Sequence, residues 1–169
     1  YEPTLTFQEA VIAMDQTPLP GRLSRVKDHL YIDVAHNPNK LNALADELPR
    51  RFPNQRRHII AGLSGHRDPI ANLSLLLPVA TSLTLSCAGH KGQDPNSLRD
   101  ALLKCHPNVS VDVSSHPRKA LEQVTNRRSG DDVIILTGST FTIDLALNPD
   151  PFLKHLNATF GWRLATSPR

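Results

Sequence analysis

The strongest constraint on this chain is a device repeated at its helix starts. Asn37-Pro38, Asp68-Pro69, Asp94-Pro95 and Asp150-Pro151 each set a capping side chain just before a proline. Proline suits the first helical position because its missing N–H would be unpaired there anyway. The Asn or Asp oxygen accepts a bond from a free N–H of the first turn. His116-Pro117, behind Ser114 and Ser115, is a weaker version. Short apolar runs occur at Leu30 to Val34, His58 to Leu63, Leu83 to Cys87, Val109 to Val113 and Val133 to Leu136. Their length and their β-branched or leucine-rich composition predict strands. Helical stripes follow them: Leu41, Leu44, Ala45, Leu48; Ile70, Leu73, Leu77; Leu98, Ala101, Leu102, Cys105; and Ala120, Leu121, Val124.

Strand and helix in alternation predict an α/β fold. We expect a Rossmann-like open, mostly parallel sheet of about six strands with helices on both faces. One strand should be antiparallel, because Leu23 to Val26 and Leu30 to Val34 flank Lys27-Asp28 as in a tight hairpin. A length of 169 residues suits one domain, and 39% hydrophobic residues suffice for its core. The expected organisation is a linker or helix of a preceding domain over 1–17, the α/β domain over 18–162 and a flexible tail over 163–169. The start at Tyr1 instead of Met leads us to expect a missing amino-terminal region.

Charge and cysteine content narrow the function classes. A net charge of +3 is too weak a bias to imply nucleic acid. The basic run Arg50, Arg51, Arg56, Arg57 and His58 reads as a solvated helix end and loop. Cys87 and Cys105 have no metal-ligand spacing and predict a reduced, cytoplasmic protein with buried thiols. No stretch nears the roughly 20 apolar residues of a membrane span, and no signal peptide is visible. We therefore expect neither a nucleic-acid nor a membrane partner, and no metal ligands in this chain.

In an open α/β sheet, ligands bind beyond the carboxyl ends of the strands. Those ends carry Asp33 to Asn37, Ser64 to Asp68 with His66 and Arg67, Ala88 to Gly92 with His90 and Lys91, and Thr137 to Thr140. Four polar segments rich in Gly, His and Ser thus gather on one edge. Asp33 closes a strand, where a carboxylate can meet a ribose hydroxyl, sit near a metal, or satisfy loop N–H groups. Asn37 is first an N-cap, and His36 beside a helix start can meet a phosphate. Arg22, behind Pro20-Gly21, can reach out with a planar cation suited to phosphate oxygens. We expect the Arg22 and Asp33 side chains at a solvent-facing loop edge. Thr137-Gly138-Ser139-Thr140 can hold a carboxylate or phosphate through N–H and hydroxyl donors, or cap a helix.

Several motifs are missing from these 169 residues. There is no G-x-x-x-x-G-K-[ST] phosphate loop, no G-x-G-x-x-G, no G-x-S-x-G elbow and no Cys/His zinc cluster. Nucleotide hydrolysis cannot be assembled from these residues alone.

Leu19-Pro20-Gly21-Arg22 followed by Leu30-Tyr31-Ile32-Asp33-Val34-Ala35-His36-Asn37-Pro38 resembles the folylpolyglutamate synthase pattern within the Mur ligase superfamily. Ile60-Ala61-Gly62-Leu63 with Arg67-Asp68, and Val133 to Ser139 followed by Phe141, are similar to later pieces of that pattern. The resemblance runs over about residues 18 to 160, and Ala35-His36-Asn37-Pro38 is its most specific element. It implies the carboxyl-terminal domain of a three-domain ATP-dependent amide-bond ligase. In that family ATP and Mg are held mainly by a central domain with the phosphate loop, a carboxylate becomes an acyl phosphate, and the amine of glutamate attacks it. The implied partners are that domain, glutamate and a folate.

Carried across, Arg22 and His36 would take part in catalysis, and Arg22, Asp33, His36 and Asn37 would face the nucleotide. Ser139, with Thr137, His90 and Lys91, would lie on the substrate side. Gly65-His66-Arg67-Asp68 and His90-Lys91-Gly92 depart from the family's usual stretches at those places. The resemblance leaves two other readings open: a Mur-type ligase of a peptidoglycan precursor, and a stand-alone module that binds a nucleotide or acidic ligand without catalysis.

Overall fold

The computed structural model describes residues 21–65 and 68–148. The expected tail, the Asp150-Pro151 start, and His66 and Arg67 lie outside the described residues. The elements are β1 Ser24–Lys27, β2 Leu30–Ile32, α1 Pro38–Arg51, β3 Arg57–Ala61, α2 Pro69–Ser74, a 3-10 turn Leu77–Val79, β4 Ser82–Ser86, α3 Pro95–Cys105, β5 Val111–Ser114, α4 Pro117–Arg127, β6 Val133–Thr137 and α5 Thr140–Leu147. They build one six-stranded sheet in the order β1-β2-β6-β3-β4-β5. Among these described strands only β1–β2 pair antiparallel, as the hairpin reading requires, and the other four pairings are parallel.

The helix starts form as the sequence dictates. Asn37 accepts from the Lys40 N–H, Asp68 from Ile70 and Ala71, Asp94 from Ser97, and His116 from Arg118. Each cap is followed by proline at the first turn.

Both faces of the sheet are covered because the central strands are apolar on both sides. On one face Leu41, Leu44 and Leu48 of α1, Leu73 of α2, and Leu98 and Leu102 of α3 pack on Ile59, Ala61, Leu83, Leu85, Val133 and Ile135. On the other, Ala120 and Val124 of α4 and Ile143 and Ala146 of α5 pack on Leu30, Ile60, Ile134 and Leu136. Successive residues of β6 therefore feed opposite cores, as a strand period of two demands.

Three expectations need correction. The stripe Ile70, Leu73, Leu77 is not one helix: α2 ends at Ser74 and a 3-10 turn with Pro78 follows. Proline at 78 has no N–H to continue an α-helical ladder. β5 begins at Val111, not Val109, because the Val109 N–H is spent on the His106 carbonyl in the turn after α3. Cys105 is exposed and Cys87 is half-buried, so neither is the fully buried thiol expected. Cys87 Sγ donates to the Ser115 carbonyl, and burial pushes its thiol pKa up.

Candidate functional site

The strand order fixes where a ligand can enter. The connections after β2, β3 and β4 run through α1, α2 and α3 on one face. From β5 the chain returns through α4 on the other face and sets β6 between β2 and β3. The loops after β2 and β3 therefore turn one way and the loop after β6 turns the other. A crevice opens at such a switch point, beyond the carboxyl ends of the strands. Asp33 to Asn37, Gly62 to Gly65 and Thr137 to Ser139 border it.

Short bonds lock these loops together. The Asp33 N–H reaches the Leu136 carbonyl at 3.0 Å, the Gly138 N–H reaches Ala35 at 3.0 Å, and the Gly62 N–H reaches Thr137 at 3.1 Å. Gly138 has φ +99, and a Cβ there would lie 2.5 Å from the Gly62 carbonyl oxygen. Only glycine meets both demands.

Arg22 stands exposed in the turn before β1. Gly21 (φ +76) lies so close to Val34 that a Cβ would sit 2.8 Å from Val34 Cγ1, and its carbonyl accepts the Val34 N–H at 2.8 Å. Asp33 is not on the solvent-facing edge as expected. It is 6% exposed. Its Oδ2 accepts the Leu23 N–H and its Oδ1 the Ala35 N–H, each at 2.8 Å. Burial pushes its pKa up, partly offset by the Ala35 and Leu23 N–H bonds and by the Arg22 and Lys40 charges. Of the roles open to this carboxylate from sequence, satisfying loop N–H groups is the one its contacts display.

His36 is half-buried, and its Nδ1 lies 2.8 Å from the Val34 carbonyl. A carbonyl can only accept, so Nδ1 carries the proton in this contact. Asn37 spends its side-chain oxygen on the Lys40 N–H at 3.0 Å, the capping role foreseen for it.

Across the crevice, Thr137 is fully buried, and its hydroxyl makes a long 3.5 Å contact with the Ala35 carbonyl. The Thr137 hydroxyl, expected among the donors of this turn on the substrate side, instead faces inward, because the last residue of a strand buried on both faces points into the fold. Ser139 caps α5 by accepting the Phe141 N–H, and the Ser64 hydroxyl lies 3.3 Å from its oxygen. His90 and Lys91 are exposed, and the His90 ring packs on Phe141 with centroids 5.1 Å apart. The Lys91 carbonyl accepts the Gly65 N–H, and the Gln93 amide donates to the Gly65 carbonyl at 2.7 Å. Gln93 thus fastens the loop after β3 to the loop after β4. No sequence motif marks it, since its role exists only once β3 and β4 are neighbours.

Arg22, Asp33 and His36 are brought together around one pair of loops, and Ser64, Ser139, His90 and Phe141 around another. Among the described residues, no three His, Cys, Asp or Glu side chains converge as a metal site, and no helix is long and apolar enough to cross a membrane. A hollow of about 330 Å³ at the opposite end of the sheet, between Tyr31, Arg51, Phe52 and Gln55, shares no residue with this edge.

Residues 21–140 match the family described as Mur ligase, glutamate ligase domain. The chain is 25% identical over 143 residues to UDP-N-acetylmuramyl-tripeptide synthetase 2 of Oceanobacillus iheyensis, covering 80% of this chain and 29% of that protein. It is 26% identical over 130 residues to dihydrofolate synthase/folylpolyglutamate synthase of Bacillus subtilis, covering 73% and 29%. The Mycobacterium tuberculosis folylpolyglutamate synthase complexed with ADP superimposes with a TM-score of 0.70 at 23% identity, over 94% of this chain and 36% of that one. The Yersinia pestis bifunctional folylpolyglutamate synthase/dihydrofolate synthase with AMPPNP and Mn gives 0.69 at 22%, over 95% and 36%. At these identities the structures establish the fold. The chain spans less than a third of the length of the curated relatives it matches.

Proposed function

Because the chain belongs to the Mur ligase family, as its glutamate ligase domain, we propose that it is the carboxyl-terminal part of an ATP-dependent ligase that joins glutamate to a folate. The observation that carries this reading is that Asp33 bonds both the backbone beside the exposed Arg22 and the backbone beside His36, which sets the Arg22 turn against the Ala35-His36-Asn37-Pro38 element at the switch-point edge. ATP, with Mg held mainly by a preceding domain, would supply the phosphoryl group that activates a carboxylate as an acyl phosphate.

The residues present fit that chemistry. The Arg22 guanidinium is exposed and always charged, so it can meet phosphate oxygens with two parallel N–H bonds. His36, with its Nδ1 turned to the Val34 carbonyl, stands beside the start of α1, where a helix N-terminus favours an anion. Asn37 holds the first turn of α1 in place beside them. On the other side, the exposed His90 and Lys91 would receive the incoming glutamate, with the buried Ser139 fixing the start of α5 beside them. Arg22 stabilises charge while a phosphoryl group is in transit, and electrostatic stabilisation of that kind supplies much of the acceleration in such reactions.

A second reading has its own support: one matching relative is a UDP-N-acetylmuramyl-tripeptide synthetase, which makes a peptidoglycan-precursor acid the competing substrate class. The longer polypeptide decides between them. Purified and supplied with ATP, Mg and glutamate, it should release ADP on addition of a folate. ADP release with a peptidoglycan precursor alone selects the second reading, and release with neither leaves a non-catalytic binding module.

A further inference from the structure

We infer that Asp33 is a positioning residue, whose carboxylate fixes the Arg22 turn and the His36 loop relative to each other by bonding one backbone N–H of each. The inference rests on the ligase reading of this edge. Its Oδ2 bonds the residue after Arg22 and its Oδ1 the residue before His36, both at 2.8 Å. Two strand-edge segments that meet only through tertiary structure are thereby held at one spacing. The Gly21 carbonyl–Val34 N–H bond runs beside this clamp, and the Gly21 N–H on Ser24 Oγ at 3.0 Å closes the turn.

The clamp has something to hold. Leu23 sits at φ +40, which a leucine rarely adopts, and the Leu23 N–H bond to Asp33 anchors it there. The Arg22 side chain projects from this turn into solvent. A long cation binds phosphate well only if its backbone is pre-set, because loop ordering otherwise opposes binding. A carboxylate is acceptor-only, so it can serve two N–H donors at once; an amide would turn its own NH2 toward one of them.

Inorganic tripolyphosphate separates this role from a direct sugar contact, because it has no ribose. Binding of tripolyphosphate and of ATP to the full 169-residue chain is measured by calorimetry, with amide NMR reporting Arg22 and His36. In Asp33→Asn, both ligands should bind about tenfold more weakly than in wild type, the loss expected for one charge-assisted bond. Amide exchange at Leu23 and Ala35 should quicken while the α3 amides stay protected. Ser24→Ala, which loosens the same turn and keeps the carboxylate, should weaken tripolyphosphate several-fold and covers the case in which Asp33→Asn does not fold. Unchanged tripolyphosphate binding in both variants with weaker ATP binding in Asp33→Asn overturns the positioning role in favour of a sugar contact. A wild-type chain that takes tripolyphosphate without shifts at Arg22 and His36 overturns the phosphate role of this edge; where the chain takes none, the phosphates rest on the preceding domain and the clamp is judged by the Leu23 and Ala35 exchange rates, which quicken in Asp33→Asn if it holds and overturn it if they do not change.

Discussion

The His58 imidazole places Nε2 3.1 Å from the Asp132 carboxylate, tying β3 to the turn that launches β6. Its Nδ1 meets Ser82 Oγ at 2.8 Å, so one buried ring joins three elements at the amino-terminal end of the sheet. The His58 hydrogen bond holds the Asp132 pKa below its ordinary 3.8, against an opposing push from burial. A carboxylate with a depressed folded-state pKa contributes stability above its unfolded value and loses it as pH falls through the folded one. Thermal melts should therefore weaken progressively below about pH 5, and Asp132→Asn should flatten that part of the profile. An identical profile in the variant would show that Asp132 does not shape it.

Arg22→Ala in the longer ligase should cut turnover by roughly 30- to 1000-fold, the cost of about 2–4 kcal/mol of charge stabilisation. The melting temperature should stay put, because the side chain is exposed. Steady-state kinetics with melts as controls test this. Wild-type turnover would leave Arg22 as a turn residue only.

The 169-residue chain by itself should form no amide bond from ATP, glutamate and a folate. It has no phosphate loop to cradle the transferring group. Product detected by mass spectrometry from the purified chain would overturn this, whereas weak nucleotide binding would not.

Leu102→Ala should destabilise the domain by about 2–5 kcal/mol. Leu102 is fully buried between α3 and the sheet, where truncation leaves a cavity. Denaturant unfolding at constant pH measures it, and a loss below about 1 kcal/mol would mean that the site collapses around the gap.

Gly138→Ala should be more disruptive than its size suggests. The added Cβ meets the Gly62 carbonyl at 2.5 Å, and φ +99 strains any L side chain. We expect a loss of at least about 2 kcal/mol. Amide shifts should move at Gly62 and Ala35 together, since both loops hang on residues 137 and 138. Shifts confined to 137–139 would show that the crevice loops are not locked to one another.

By itself the sequence determined the helix starts, three of the four apolar stripes and the hairpin, the exception being Ile70, Leu73, Leu77. Asn37, Asp68 and Asp94 cap the helices they announce, because capping, proline geometry and apolar periodicity act over a few neighbouring residues. It also carried the family, through an ordered set of short elements. What it left open depended on which strands become neighbours. The insertion of β6 between β2 and β3 brings Leu136 to Asp33 and Thr137 to Gly62, across separations of 103 and 75 residues (136 − 33 and 137 − 62). That placement turns Asp33 inward, hides the Thr137 hydroxyl, sets Ser64 against Ser139 and gives Gln93 its work. A side chain at a strand end faces solvent or core according to what packs beside it, and no local pattern records that neighbour.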